Sequence, residues 1–237
     1  MIFLEKMPPR IIQIFSKLIN RFGFYVSRSP IVNQEDFALG VEDALIRIDG
    51  GVLHIGGHRG QEAERYQRLA ARVIWIEANP LIYDLLSANI AQFEYQEAIC
   101  ALLGDQDGLV VDFHIANNDG ASSSIFEFGK ELGFHKLSMS RSEKLVMNRL
   151  DSIFSQSDLE PFAHWVLDVQ GAEILVLKGS GLLLNQCKSL YIEVSTREVY
   201  KDGASWEELS QFLRSRGLIP LWNPRTKSHE NLIFIRY

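Results

Sequence analysis

GVLHIGGHRGQEAERYQRLAARVIWIEANP, which covers residues 51–80, alternates between the sequence patterns of strand and helix. It opens with an apolar run that ends in glycines, a pattern that predicts a buried strand followed by a tight turn. QEAERYQRLA then predicts a helix, and VIWIEA predicts a second buried strand. Pro80 occupies a favoured first position for a further helix, which LIYDLLSANI continues. This order of elements favours a parallel sheet with helices on both faces.

The alternation of strand and helix continues toward the C-terminus. FEYQEAIC, HWVLDVQ and SLYIEVS each predict a strand, whereas GAEILVLKGSGLLL and SWEELSQFLRSRG each predict a helix. LIPLWNP and NLIFIRY predict two further strands, which can pair antiparallel at the end of the sheet. The middle of the sequence is less regular: LVVDFHIAN and KLVMNRL predict strands, and residues 126–142 are ambiguous.

The composition is that of an ordinary globular protein, because 46% of the 237 residues are hydrophobic and 23% are charged. This length suits one large α/β domain. The net charge of −6 lacks the basic footprint of a general nucleic-acid binder, so we expect no nucleic-acid partner. Cys100 and Cys187 lie in apolar stretches and are predicted to be buried thiols, and no compact cysteine and histidine set predicts a metal site.

The N-terminal part of the sequence contains RIIQIFSKLINRF at residues 10–22, which has the apolar spacing of a basic amphipathic helix. Such a helix can lie on an anionic membrane, or it can dock on its own domain or a second subunit; we favour docking. Residues 23–40 are predicted to be a connector, so the chain divides into an N-terminal part, 1–40, and one domain, 41–237. No apolar run is long enough for a signal-peptide core or a membrane span. The expected location is therefore the cytoplasm, with peripheral membrane contact and a homo-oligomer as open alternatives.

The first turn and the end of the next strand together predict a cofactor site. Gly56, Gly57 and Gly60 let the backbone turn tightly and approach a ligand closely, and the helix that follows presents free N–H groups. Glu77 ends the next strand about 20 residues later, where a carboxylate can hold both ribose hydroxyls. The alternative is a plain turn with a surface carboxylate. The combination predicts a nucleotide-like cofactor at the strand ends.

The absence of one motif selects between cofactors. Dinucleotide sites carry G-x-G-x-x-G, which places a helix N-terminus against the pyrophosphate. Here the glycines are spaced as Gly-Gly-His-Arg-Gly, residues 56–60. S-adenosylmethionine has no pyrophosphate and needs only a loop that admits its aminocarboxypropyl arm. The sequence therefore favours S-adenosylmethionine over a nicotinamide cofactor.

Several motifs occur in the same order and spacing as in one known family. VLHIGGHRGQE, WIEANP, GASSSI, RLDSIF and above all VLDVQGAEILVLKG give residues 50–237 a specific resemblance to the FkbM-type methyltransferases. The resemblance implies an α/β, Rossmann-like class I methyltransferase fold, with a mostly parallel seven-stranded sheet, helices on both faces and one antiparallel strand near the C-terminus. It also implies S-adenosylmethionine-dependent O-methylation, often of sugars in glycans or glycosylated natural products.

The resemblance also implies which residues contact the cofactor. The segment from His54 to Gly60 matches the loop around the cofactor arm, Glu77 matches the ribose-binding acid, and residues 97–99 match the segment beside the adenine. The full set of cofactor candidates is His54, Gly56, Gly57, His58, Gly60, Glu62, Glu77, Ala78, Asn79, Glu97, Ala98 and Ile99.

Three positions depart from the usual family pattern. Many members have aspartate where this chain has His54, asparagine where it has His58, and glutamate where it has Gln170. The pattern is still coherent, but it leaves open which group contacts the amino group of the cofactor.

Two carboxylates at predicted strand ends are the catalytic candidates. Asp168 follows HWVL and Glu193 lies in YIEVS, and parallel strands present their carboxyl ends to ligands. A base beside the acceptor hydroxyl adds about 10²–10⁴-fold to the rate. The alternative is that each carboxylate caps the next helix. The substrate-binding candidates lie in neighbouring loops: Ser122, Ser123, Ser124, Gln170 and Glu173.

These observations predict an S-adenosylmethionine-dependent O-methyltransferase that acts on a hydroxyl of a carbohydrate or glycan-like acceptor. Two alternatives stay open: a non-catalytic cofactor-binding scaffold in a glycan-assembly complex and, less favoured, an NAD-dependent oxidoreductase. The expected partner is a small-molecule or glycan acceptor.

Overall fold

The structure is a computed structural model that describes residues 34–129, 137–224 and 229–237. The amphipathic helix predicted at residues 10–22, with its membrane or subunit contacts, lies outside the described residues. The segment predicted to be a connector is helical from Gln34, because helix α1 spans Gln34–Asp49. The predicted boundary between residues 40 and 41 therefore falls inside a helix.

The first half of the chain forms the alternating elements that the sequence predicts. They are, in chain order, β1 (Gly51–Ile55), α2 (Ala63–Arg68), β2 (Arg72–Glu77), α3 (Pro80–Ile90), β3 (Gln96–Cys100), β4 (Leu102–Leu103), β5 (Val110–Ala116) and β6 (Met139–Asn148). Helix α3 begins as the sequence predicts, with Pro80 in its first turn and the Asn79 side chain accepting the N–H of Leu81.

The second half of the chain supplies the remaining strands and the helices of the opposite face. They are α4 (Leu150–Ile153), α5 (Gln156–Leu159), β7 (His164–Leu167), α6 (Glu173–Gly179), a 3₁₀ helix (Gly181–Gln186), β8 (Ser189–Ser195), α7 (Trp206–Ser215), β9 (Leu218–Pro220) and β10 (His229–Arg236). The predicted capping box of α7 is confirmed, because Ser205 and Glu208 bond to each other's backbone N–H groups.

The described residues form a seven-stranded sheet with the order β3-β2-β1-β7-β8-β10-β9. Every pair in it is parallel except the two pairs made by β10. This confirms the Rossmann-like class I methyltransferase fold and the antiparallel pairing of the last two strands. The strand order reverses between β1 and β7, so the carboxyl ends of these strands form the crevice in which such sheets bind ligands.

The sheet buries apolar side chains on both faces, as parallel sheets require. On the face covered by α1, α2 and α3, Trp75 and Tyr66 are almost fully buried. On the opposite face, Trp165 and Phe234 pack among the aliphatic side chains covered by α6 and α7. Cys187 is buried as predicted, but Cys100 is exposed because it ends β3 at the sheet edge. The prediction of two buried thiols is therefore wrong for Cys100.

The less regular middle of the chain forms a separate sheet with the strand order β4-β6-β5. Both predicted strands are present, and they pair antiparallel along β5 and β6. The inner face of this sheet buries Leu102, Phe113, Ile115 and Met147. The ambiguous segment 126–142 is a strand from Met139 onward. No helix within the described ranges is long and apolar enough to cross a membrane.

Candidate active site

A cavity opens where β1, β2 and β7 end. Its empty volume is about 880 Å³, including space open to solvent. The second sheet covers one side of it with Phe113 and the loop around Ser123. The structure brings ten of the predicted site residues to this cavity: His54, Gly56, Gly57, His58, Glu62, Glu77, Ala78, Ser123, Asp168 and Gln170.

Other predicted residues lie near the cavity without lining it. Asn79 is buried and caps α3, and Gly60 packs against that helix. Glu97, Ala98 and Ile99 lie in β3 and do not line the cavity, which Ala101, Leu102 and Leu103 line instead. The predicted segment belongs to the strand that leads to the cavity, and its contact with the cofactor stays a prediction.

The glycines of the first turn are required by packing inside the protein. A Cβ on Gly56, whose φ is +88°, would lie 1.9 Å from the carbonyl oxygen of Asp168. A Cβ on Gly57 would lie 2.9 Å from the Trp75 ring, and one on Gly60 would lie 2.8 Å from Leu86. The space in question is occupied by β7, the aromatic cluster and α3. Close packing of neighbouring elements therefore requires these glycines in its own right, and close approach of a ligand to the turn stays a prediction.

Glu77 is buried at the end of β2 and is held by two backbone groups. Its Oε2 accepts the N–H of His58 at 2.8 Å, and its Oε1 accepts the N–H of Asn79 at 2.8 Å. Burial raises the pKa of this carboxyl, and the backbone N–H groups of Asn79, His58 and Ala78 oppose that rise. A carboxylate has about four acceptor sites, so the group has capacity left for a hydrogen bond from a ligand hydroxyl.

His54 lies in the aromatic cluster under the cavity. Its ring stacks on Trp75 with a centroid distance of 4.5 Å, and its Nδ1 lies 3.0 Å from the hydroxyl of Tyr66. Burial lowers the pKa of His54 to about 3, so the ring is neutral at physiological pH. Position 54 therefore carries no charge in this chain.

Gln170 joins the two predicted catalytic carboxylates. Its Nε2 donates to Asp168 and, at 3.3 Å, to Glu193, while its Oε1 accepts from the hydroxyl of Tyr200. The backbone of Gln170 has a φ of +55°, and its carbonyl oxygen accepts the Ser124 hydroxyl at 2.7 Å. Sequence reasoning missed Tyr200, because nothing in its local pattern distinguishes it from a core aromatic residue.

Asp168 and Glu193 differ in surroundings. Asp168 is exposed to the cavity but surrounded by protein, and the resulting desolvation raises its pKa. The hydrogen bond from Gln170 opposes that rise. Glu193 does not line the cavity, and burial followed by repulsion from Asp168 and Glu173 raises its pKa to about 8. Because the two carboxylates interact, the pair favours one negative charge over two at neutral pH.

Glu173 and the remaining serines hold the loops of the site. Glu173 is buried at the start of α6 and accepts the N–H groups of Val169 and Gly171, and burial raises its pKa to about 7. Ser122 bonds to Asn118 within its own loop. Of the predicted substrate residues, Ser123 and Gln170 line the cavity, whereas Ser122, Ser124 and Glu173 do not.

A second cavity lies on the α1 side of the sheet, with an empty volume of about 510 Å³. It shares His54, Glu62 and Asp168 with the first cavity, so these three residues form the wall between the two. The remaining lining residues are mostly polar or aromatic: Leu39, Glu42, Arg65, Tyr66, Val166, Leu167, Tyr191 and Asn231. Sequence reasoning selected none of these, because they come from distant elements.

Residues 34–129, 137–224 and 229–237 contain no cluster of histidine, cysteine and acidic side chains that could hold a metal ion.

Comparison with known proteins gives one family and several relatives. The model of the methyltransferase FkbM domain matches residues 54–219. The 2-O-methyltransferase NoeI of Sinorhizobium fredii is 27% identical over 166 residues, which cover 66% of this chain and 68% of NoeI.

Two solved structures illustrate the more distant likeness. An uncharacterized protein of Listeria monocytogenes serotype 4b is 10% identical, with a TM-score of 0.48 over 87% of this chain and 69% of that one. A putative caffeoyl-CoA O-methyltransferase of Staphylococcus aureus is 13% identical, with a TM-score of 0.46 over 95% and 92% of the two chains. The family match, which spans both halves of the sheet, is the decisive finding. The chain belongs to the FkbM methyltransferase family and is an S-adenosylmethionine-dependent methyltransferase.

Proposed function

We propose that this enzyme is an O-methyltransferase that binds S-adenosylmethionine in the first cavity and methylates a hydroxyl of a carbohydrate or glycan-like acceptor. One observation carries the proposal: the cavity places the buried carboxylate at the end of β2 and the carboxylate after β7 in one crevice. The name of NoeI, a 2-O-methyltransferase, supports transfer to oxygen.

The residues around the first cavity fit the parts of the donor. Glu77 lines the cavity with a carboxylate that suits the ribose hydroxyls, and the turn at residues 54–60 borders the space for the aminocarboxypropyl arm. Leu102, Phe113 and Ile125 form an apolar wall suited to the adenine ring. When bound, S-adenosylmethionine supplies a methyl group that is already activated by a positively charged sulfur.

The acceptor is assigned to the second cavity, which meets the first at Asp168. Phenol and amide groups of Tyr191 and Asn231 line it, beside the carboxyl groups of Glu42 and Glu62. A lining with several acidic groups favours a neutral, hydroxyl-rich molecule and disfavours an anionic one. Asp168 orients the acceptor hydroxyl and takes its proton, while Gln170 holds the Asp168 carboxylate in place.

Donor binding is tested first. Thermal unfolding is measured with S-adenosylhomocysteine, the demethylated product, and with NAD. Because a ligand that binds the native state stabilises it by mass action, a concentration about 100 times the Kd adds about 2.7 kcal/mol. We expect stabilisation by S-adenosylhomocysteine and none by NAD. Stabilisation by NAD alone would reject the proposal in favour of an oxidoreductase.

Transfer is tested next with methyl-labelled S-adenosylmethionine and a panel of neutral oligosaccharides, uronic acids and amino sugars. We expect label on a neutral glycan hydroxyl and a loss of about 10²-fold or more in Asp168→Asn. Asp112→Asn, which changes an exposed aspartate paired with Lys144, is the matched control and should keep its activity. Donor binding without transfer to any glycan would favour the scaffold alternative.

A further inference from the structure

The wall between the two cavities contains an acidic side chain with no clear structural task. Glu62 lies at the N-cap position of α2, where a carboxylate would normally accept the N–H groups of the first turn. Its side chain makes no such bond, and it faces both cavities instead. Helix capping, the ordinary explanation for a carboxylate at this position, therefore does not apply.

The other two carboxylates of the first cavity already have donors. Glu77 accepts two backbone N–H groups, and Asp168 accepts the amide of Gln170. Glu62 is approached by its own backbone N–H, and no side chain of the described residues donates to it. Glu62 therefore has hydrogen-bonding capacity left for a ligand, with no side chain from the described part of the chain to compete for it.

The electrostatic surroundings of Glu62 favour a positively charged ligand group. Asp168 and Glu42 repel its carboxylate, and burial together with these charges raises its pKa. Arg65, a cation close enough to act on it, is held by Glu42 at 2.9 Å and by Asp43 at 2.6 Å. His54, on the same wall, is neutral. A half-buried carboxylate in this setting gains when a cation arrives.

We propose that Glu62 binds the α-ammonium group of S-adenosylmethionine, a role that rests on placing the donor in the first cavity. Glu62 then supplies the negative charge that position 54 does not offer, from the start of the next helix instead of from the strand. The two carboxylates divide the donor between them, Glu77 taking the ribose and Glu62 the amino acid end.

Calorimetric binding to Glu62→Gln tests this assignment with two ligands. One is S-adenosylhomocysteine, and the other is its analogue with hydrogen in place of the amino group. Because a charge-assisted hydrogen bond is lost, we expect Glu62→Gln to weaken the binding of S-adenosylhomocysteine about 10- to 100-fold. The affinity for the analogue should change by less than about threefold, since the analogue has no ammonium group to contact residue 62. Glu64→Gln, on the same helix but exposed and paired with Arg68, should leave both affinities unchanged.

Three results would contradict the assignment. Equal weakening of both ligands would make Glu62 a structural residue, and unchanged affinity for both would exclude it from the site. Failure of the wild-type protein to bind either ligand would remove the donor from the first cavity, and the proposed function with it. If Glu62→Gln does not fold, Glu62→Asp replaces it. The shorter side chain of aspartate should weaken the binding of S-adenosylhomocysteine more than the binding of the analogue.

Discussion

At the scale of single residues, one amide joins the two carboxylates at the strand ends. Gln170 donates to both Asp168 and Glu193, and Tyr200 fixes which way its amide points. A glutamate at position 170 would place a further carboxylate between them. The neutral glutamine adds no charge and donates a hydrogen bond to each group instead.

Glu193 should make the unliganded protein less stable as the pH rises. Its pKa is about 8 in the folded protein against an ordinary value of 4.5, so the folded state binds the proton more tightly. Between these values the folded state holds more protons than the unfolded one, and the free energy of unfolding therefore falls with rising pH. In the wild type we expect the free energy of unfolding to fall by on the order of a few kcal/mol between about pH 5 and pH 8, and in Glu193→Gln we expect this fall to be absent.

Urea unfolding at several pH values in that range measures this slope for the wild type and the variant. Glu198→Gln removes an exposed carboxylate from the following loop and serves as the control, with the wild-type slope expected. Parallel slopes for the wild type and Glu193→Gln would show that Glu193 is ionised throughout.

Sequence reasoning located residues at strand ends well and residues brought in by tertiary contact poorly. Asp168 and Glu77 were predictable, because a carboxylate after an apolar run falls at the edge of a parallel sheet. Glu42 and Tyr200 were not, since each meets the site through contacts between elements far apart in the sequence. The packing of Gly56 was not predictable either, because only the structure shows that β7 occupies the space beside it.

At the scale of elements, helix α1 is attached to the sheet through a buried charge. Glu42 is 1% exposed; it lies 3.3 Å from Nε2 of His164 on β7 and accepts a hydrogen bond from Arg65 on α2. Burial would raise the pKa of Glu42, but the bonds and charges of His164 and Arg65 outweigh it and lower the pKa. The helix therefore closes the second cavity by a specific polar contact as well as by apolar packing.

Glu42→Ala should destabilise the protein by about 3–5 kcal/mol, because it removes the buried carboxylate that His164 and Arg65 share. Asp43→Ala is a matched control, since Asp43 also pairs with Arg65 but its side chain is 41% exposed. That exposed pair should contribute no more than about 1 kcal/mol. Denaturant unfolding of both variants checks the difference, and similar losses would contradict a buried anchor at residue 42.

The contact between the turn after β1 and the end of β7 should tolerate no side chain at Gly56. Gly56→Ala and Gly50→Ala both place alanine at a positive φ, so both carry about 1–2 kcal/mol of backbone strain. Only the Cβ at residue 56 meets the backbone of Asp168, since nothing lies within 4 Å of a Cβ at Gly50. We expect Gly56→Ala to lose about 1–3 kcal/mol more, measured as the free energy of unfolding. Equal losses would mean that the strand ends can separate freely.

Elements with strong periodicity were predictable, and their partners were less so. Apolar runs identified the parallel strands, and the Ser205 and Glu208 spacing located the start of α7. The pairing of β5 with β6 in a second sheet, together with β4, was not predictable, because an alternating strand does not specify which edge it joins.

At the scale of the whole molecule, the first cavity is assembled from segments spread along most of the described chain. The main sheet supplies the turn after β1 and the ends of β2 and β7, and the second sheet supplies the wall around Phe113 and Ser123. The order of strands places all of these at one edge. A donor bound in the first cavity, as proposed, would therefore contact both sheets.

Hydrogen exchange should report that assembly when S-adenosylhomocysteine binds. A ligand that contacts both sheets slows the local openings of each, because every opening must first break ligand contacts. We expect slower exchange in the segments that line the first cavity: 54–62, 76–78, 101–103, 113–125 and 168–172. Helix α7 lines neither cavity and is the internal reference, with no change expected in amides that exchange by local fraying. Protection confined to the main sheet would show that the second sheet is no part of the donor site, and protection centred on α1 and residues 191 and 231 would move the donor to the second cavity.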